Sequence, residues 1–163
     1  MKKISAFIFI SFVFFISTPS FSNDKLVGKK LYCDSTKIWW ESADAFWDIG
    51  IYFSNNDTAI IYYLPFIPEL FIEEVTYSTV YHNYISNLHN IEFNKIAYHN
   101  NPKNEKFKLD RKSLILKSDE MTAQCKLIEL EENKLYRIGL EFEKIGNKKA
   151  QKIKKNIQSK NKI

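Results

Sequence analysis

Glycine, histidine and cysteine are all scarce in this chain, with four, three and two copies in 163 residues, and each shortage closes off a class of chemistry. Gly28, Gly50, Gly139 and Gly146 are too far apart to form a phosphate-cradling loop. No GxSxG elbow is present to present a nucleophilic serine. His82, His89 and His99 include no pair at i,i+2 or i,i+4, the spacings that bring two imidazoles to one metal on a strand or helix. The cysteines form no CxxC motif. Glu73-Glu74 and Glu131-Glu132 are adjacent only in sequence, and neighbouring side chains on a strand point apart. Neither an enzyme, a metal site nor a cofactor is expected.

What is present sets the compartment first. Lys2 and Lys3 precede an uncharged apolar run, Ile4 to Ile16, and Thr18-Pro19 breaks it before Ser20-Phe21-Ser22. This is the layout of a secretory signal peptide cleaved after about Ser22. The run falls short of the ~20 residues a membrane-spanning helix needs. Residues 1–22 are therefore read as a leader and 23–163 as the mature chain, periplasmic or secreted from a bacterium, with no transmembrane anchor after processing. In an oxidising compartment Cys33 and Cys125 pair as one structural disulfide. Closing so long a loop would stabilise by roughly 4–5 kcal/mol in the chain-entropy picture.

Charge is unevenly distributed. Residues 144–163 hold eight lysines and no acid, whereas residues 23–143 carry more Asp and Glu than Lys and Arg. The excess of base thus describes a tail on an acidic body, which argues against nucleic acid as a partner. Lys, Ile and Asn dominate the composition, as AT-rich coding favours, and that bias contributes to the basicity. Lys148, Lys149, Lys152, Lys154 and Lys155 are the candidate residues for contact with an anionic envelope surface or a partner protein.

The body reads as strands. Leu26–Cys33 is a first. Trp47, Ile49, Ile51 and Phe53 alternate with polar or small residues, Asn55-Asn56-Asp57 supplies residues tolerant of positive φ, and Thr58–Leu64 returns. Val75, Tyr77, Thr79 and Tyr81 give a fourth strand, and Ile91–Tyr98 a weaker fifth. Phe107 and Leu109 lead into Asp110-Arg111-Lys112, and Leu114 and Leu116 lead out. Asp110 starts a turn there, bonding backbone two residues on. Met121–Ile128 follows. Residues 133–145 fit both periodicities, but the preponderance of Glu, Lys and Leu favours a helix from about Glu132 that frays after Ile157, despite Gly139 and Gly146. The fold expected is mainly β, an antiparallel meander closed as a small barrel or sandwich of six to eight strands (23–130), with a C-terminal α-helix and basic tail (131–163).

"GKKLYC" in the first strand, "LDRKSLIL" and the "QC" strand resemble small secreted proteins of AT-rich bacteria. The early glycine and the long disulfide are similar to lipocalin-like barrels, although Lys29, Lys30 and Leu31 follow Gly28 where that family has Gly-x-Trp. The resemblance implies an architecture and no activity.

Two apolar stretches remain, "IWW" at 38–40 and "YLPFIPELFI" at 63–72, both where connections are expected. They either cap the barrel or rim a cavity, because barrel mouths favour pockets. In the second case Trp39, Trp40, Phe66, Ile67 and Phe71 line an entrance for a small apolar or amphipathic ligand. That ligand-binding role is the leading expectation, and an interaction module working through the basic tail is the alternative.

Overall fold

The structure, a computed structural model, describes residues 26–37, 46–67, 74–94, 106–119, 121–131 and 133–160. Eight strands run in chain order: β1 (Lys30–Lys37), β2 (Phe46–Phe53), β3 (Thr58–Phe66), β4 (Ser78–Ser86), β5 (Asn90–Asn94), β6 (Phe107–Asp110), β7 (Ile115–Lys117) and β8 (Thr122–Leu127). Each pairs antiparallel with its successor, and β8 returns to β1, so the sheet is a closed barrel. The single helix among the described residues, α1 (Leu135–Lys160), follows β8. The closing seam carries the disulfide, since Cys33 of β1 stands directly opposite Cys125 of β8 and is bonded to it.

Closure follows from the alternation. Leu31, Cys33, Ile49, Ile51, Phe53, Ala59, Ile61, Ile91, Phe93, Leu109, Leu116, Ala123 and Cys125 all face inward and form one buried cluster. A fully buried side chain of this size is worth about 2 kcal/mol. Eight strands leave an interior that side chains can just fill or that can hold one small ligand.

β2 and β3 are buried on both faces, because α1 lies across their outer side. Tyr32, Phe46, Ile60, Tyr62, Leu64, Phe66 and Val75 make a second cluster there with Ile138, Phe142 and Ala150 of the helix. This explains the nearly unbroken apolar run of β3. It also explains Gly50 of β2 and the two glycines of the helix. A Cβ on Gly50 would lie 2.4 Å from the Phe142 ring, one on Gly139 would lie 2.5 Å from the Tyr77 ring, and one on Gly146 would lie 2.8 Å from Val75. Each glycine is a socket for a side chain across the interface, and close packing offsets the ~1 kcal/mol that a helical glycine costs against alanine. Asn147 clasps the same segment. Its Oδ1 accepts from the Val75 N–H at 3.0 Å, and its Nδ2 donates to the Val75 carbonyl at 2.9 Å.

Some local details depart from the sequence reading. β1 begins at Lys30, because Leu26–Lys29 forms a turn closed by a Lys29 N–H to Leu26 carbonyl bond, with Gly28 at φ 83°. β4 begins at Ser78, because Val75 and Tyr77 are held under the helix. Asn55–Asp57 do not use positive φ. Instead the Asn55 side-chain oxygen accepts the N–H groups of Asp57 and Thr58 at 3.0 and 2.7 Å. The left-handed residue is Leu114, at φ 54°, where its N–H bonds back to the Asp110 carbonyl. Asp110 does cap its turn as expected, accepting from the backbone N–H groups of Lys112 and Ser113 and from the Ser113 hydroxyl. The helix starts three residues later than Glu132 and continues to Lys160.

Candidate functional site

The two ends of the barrel are built differently. At one end β2–β3, β4–β5 and β6–β7 are joined by short turns, each closed by an Asx side chain, namely Asn55, Asn87 and Asp110. An aromatic trio plugs the barrel on that side. The Phe53 ring lies 5.2 Å from Tyr84 and 6.1 Å from Phe93, and Tyr84 lies 6.2 Å from Phe93. The Tyr84 hydroxyl donates to the Asn55 carbonyl at 2.8 Å, which ties the plug to the turn, and burial raises its pKa.

The connections 38–45, 67–77 and 95–106 all leave from the opposite end. There the inner wall changes character. Trp47 and Tyr63 continue the inward sets of β2 and β3, meet edge to face at 6.4 Å, and are only partly buried. Val80 on β4 is opposite Ile61. Beyond it His82 is fully buried inside the sheet, with Nδ1 3.3 Å from the Asn94 carbonyl and its ring edge toward Phe107. An apolar wall with one buried imidazole and two amphipathic aromatics suits an apolar or amphipathic group more than a charged one.

At the plugged end a small cleft of ≈20 Å³ remains beside Leu26, Leu31, Leu109, Leu114 and Arg111. That is room for a single water. Arg111 is buried there, its Nη1 donating to the Asn87 carbonyl at 2.7 Å and to the Ser86 hydroxyl at 3.5 Å, while its N–H donates to the His89 carbonyl. It joins two of the end turns. The sequence reading treated Asp110-Arg111-Lys112 as turn alone and missed this role. A usable signal was present, since Arg111 is one of two arginines in a chain rich in lysine. Arginine keeps its charge on burial and presents a planar fork of donors, which suits a buried tie between turns.

A polar cluster sits under the helix. Asp48 is wholly buried on the outer face of β2. Its carboxylate accepts from the Tyr32 hydroxyl at 2.7 Å, from the Ser35 N–H at 2.9 Å and hydroxyl at 3.1 Å, and from the Lys149 ammonium at 2.9 and 3.1 Å. Lys149 also reaches Asp34 and lies 4.1 Å from the Phe46 ring centre. Burial pushes the Asp48 carboxyl above the usual range, and the pull of Lys149 and of the hydrogen bonds from Ser35 and Tyr32 only partly opposes it. The Tyr32 hydroxyl is raised as well, first by its own burial and then by the charge of Asp48. The cluster holds the helix on the barrel. Lys30 secures the segment before the helix in a similar way, donating to the Leu130 carbonyl and to Asn133 Oδ1.

The residues singled out from sequence are distributed across these regions. Cys33 and Cys125 form the seam disulfide. Phe66 is buried in the outer cluster, stacked on Phe46 at 5.2 Å, and Ile67 is buried next to it. Trp39, Trp40 and Phe71 lie outside the described residues. Lys149 belongs to the Asp48 cluster. Lys148, Lys152 and Lys155 are exposed on α1, and Lys154 is partly buried. Among the described residues, no three His, Cys, Asp or Glu side chains gather as metal ligands would, and no helix is long and apolar enough to cross a membrane.

Comparison with known proteins finds no family model, curated protein or solved structure that matches this chain.

Proposed function

We propose that this chain is an exported, non-enzymatic binding protein whose barrel receives a small apolar or amphipathic ligand at the end from which the three long connections leave. One observation carries the reading: the asymmetry of the two ends. The short-turn end is plugged by Phe53, Tyr84 and Phe93, while the other end presents half-buried Trp47 and Tyr63 around the approach to His82. A container needs a floor and a mouth, and a barrel built only for stability has no need to differ at its ends. The filled interior makes the seat shallow, so Trp47, Tyr63 and Val80 would contact the ligand, with Trp39, Trp40 and Phe71 contributed by the connections. The apolar leader and the disulfide support a periplasmic or extracellular site of action.

Titration with the fluorescent apolar probe N-phenyl-1-naphthylamine tests this, using oxidised protein exported by its own leader. The proposal expects saturable binding that weakens at least about tenfold in Trp47→Ala/Tyr63→Ala, the usual effect of removing two aromatic anchors. Native mass spectrometry of the same preparation would show any ligand carried from the cell as mass lost on denaturation. Absent probe binding, or binding that ignores the double substitution, would reject a seat at this mouth.

A further inference from the structure

The helix that covers β2 and β3 has an outer side of its own, and the docking described above fixes which residues face it. Ile138, Phe142, Gly146, Lys149 and Ala150 point to the barrel. At 100° per residue, Lys144, Lys148 and Lys155 fall within about 40° of one another on the outer side of α1, and Lys152 flanks them. All four are exposed. Lys144 pairs loosely with Glu141 at 3.6 Å, and no acid occurs from residue 144 to the end of the helix. Beyond Glu141 the stripe is therefore of one sign, and it is displayed on a helix that glycine sockets and the Asp48 cluster hold in place.

Apolar groups lie beside it. Tyr136 and Leu140 are about half exposed near the start of the helix, at 53% and 50%, on the flank between Lys144 and the Gly139 position that meets Tyr77. The outer face of the next strand, β4, exposes Tyr81 and Ile85 at 52% and 65%. Tyrosine and leucine next to a lysine row form the pattern of a surface that rests at the headgroup boundary of a bilayer, where amphipathic rings and cationic stems are both satisfied.

We infer that the outer side of α1, together with the outer face of β4, is a seat for an anionic phospholipid surface. Lys144, Lys148, Lys152 and Lys155 meet the lipid phosphates, and Tyr136, Leu140, Tyr81 and Ile85 enter the headgroup layer. A soluble polyanion would use the lysines and leave the apolar groups without a role. The inference is independent of what the barrel mouth binds.

Sedimentation with vesicles of phosphatidylcholine alone, and of phosphatidylcholine mixed with phosphatidylglycerol, decides it for the full chain. Binding is expected only to the mixed vesicles and should weaken as salt is added. Lys148→Glu/Lys152→Glu/Lys155→Glu should lower partitioning by roughly a hundredfold or more, at about fivefold for each cation lost near the surface. Because these residues face away from the barrel, circular dichroism should show the helix intact. Tyr136→Ser/Leu140→Ser should lower partitioning about tenfold with the lysines untouched. Equal binding to both vesicle types, no binding to either, or wild-type binding by the lysine variant would overturn the inference. An unchanged Tyr136→Ser/Leu140→Ser variant would overturn it as well, by reducing the surface to a charge patch without a lipid seat.

Discussion

Ile49, Ile51 and Phe53 point from β2 into the barrel, whereas Phe46, Asp48, Gly50 and Tyr52 point from the same strand toward α1. The inner set is plain: apolar side chains alternate with others, and neighbouring strands supply the same kind of residue. The outer set mixes a buried carboxylate, a glycine and two rings, and makes sense only with the helix in place. Gly50 leaves space for the Phe142 ring, and Asp48 waits for Lys149. The inner core would accept many apolar residues of about the right size. The outer core is specified pair by pair. It makes the C-terminal helix part of the folded body, where its sequence alone reads as a helix with a basic tail.

The largest way to break this comparison is at the helix. Phe142 is fully buried between Gly50, Tyr32 and Tyr62, with ring centres 6.1 Å from Tyr32 and 5.2 Å from Tyr62. Phe142→Ala should cost about 4 kcal/mol in urea unfolding, the loss typical of a buried aromatic. It should also free the amides of α1 to exchange ahead of those in the barrel. A loss below about 1 kcal/mol would mean that the helix is only resting on the surface.

A finer contrast uses two aspartates shifted in opposite directions. Asp48, in the outer core, has its folded pKa raised above the ordinary 3.8 by burial. Its favourable contribution is present below that pH and is lost as pH rises through the folded value. Asp110, in the exposed turn, has its folded pKa lowered, chiefly by the hydrogen bonds from Ser113. Its contribution is present above 3.8 and is lost as pH falls through the folded value. Measured from acid upward, the stability of the wild type relative to Asp48→Asn should therefore decline from about pH 4. Relative to Asp110→Asn it should rise over the acid range and level off near the same pH. Parallel pH profiles for the two variants would contradict the opposite environments assigned to them.

The sequence was most readable where structure is local or strictly periodic. Inward alternation in β2 and β3 located the strands, two cysteines in a chain read as exported implied the disulfide, and Asp110 announced its turn. The outer core was hidden because its partners are far apart in sequence. Asp48 and Gly50 looked like the solvent side of an ordinary strand, and only a helix about 100 residues later turns them into a charge partner and a socket. Gly139 and Gly146 looked like weak points in that helix for the same reason. Phe66 was read as an entrance residue because of its prolines, yet its even spacing with Tyr62 and Leu64 put it on the helix side. Of the apolar stretches at 38–40 and 63–72, residues 63–66 belong to β3 and Ile67 is buried beside it, while 38–40 and 68–72 lie outside the described residues. The inward-facing pair Trp47 and Tyr63 was not singled out, because each was counted as a strand position.

The most direct test of the socketed helix is a double-mutant cycle between Gly50 and Phe142. In an ordinary strand Gly→Ala stabilises by roughly 0.5–1 kcal/mol. Here the added methyl would lie 2.4 Å from the ring, so Gly50→Ala should destabilise the wild type. In a Phe142→Ala background the clash is gone, and the same substitution should become neutral or stabilising, a coupling of about 1 kcal/mol or more. If Gly50→Ala has the same effect in both backgrounds, the ring does not sit over that glycine, and α1 is not built into the fold in the way described.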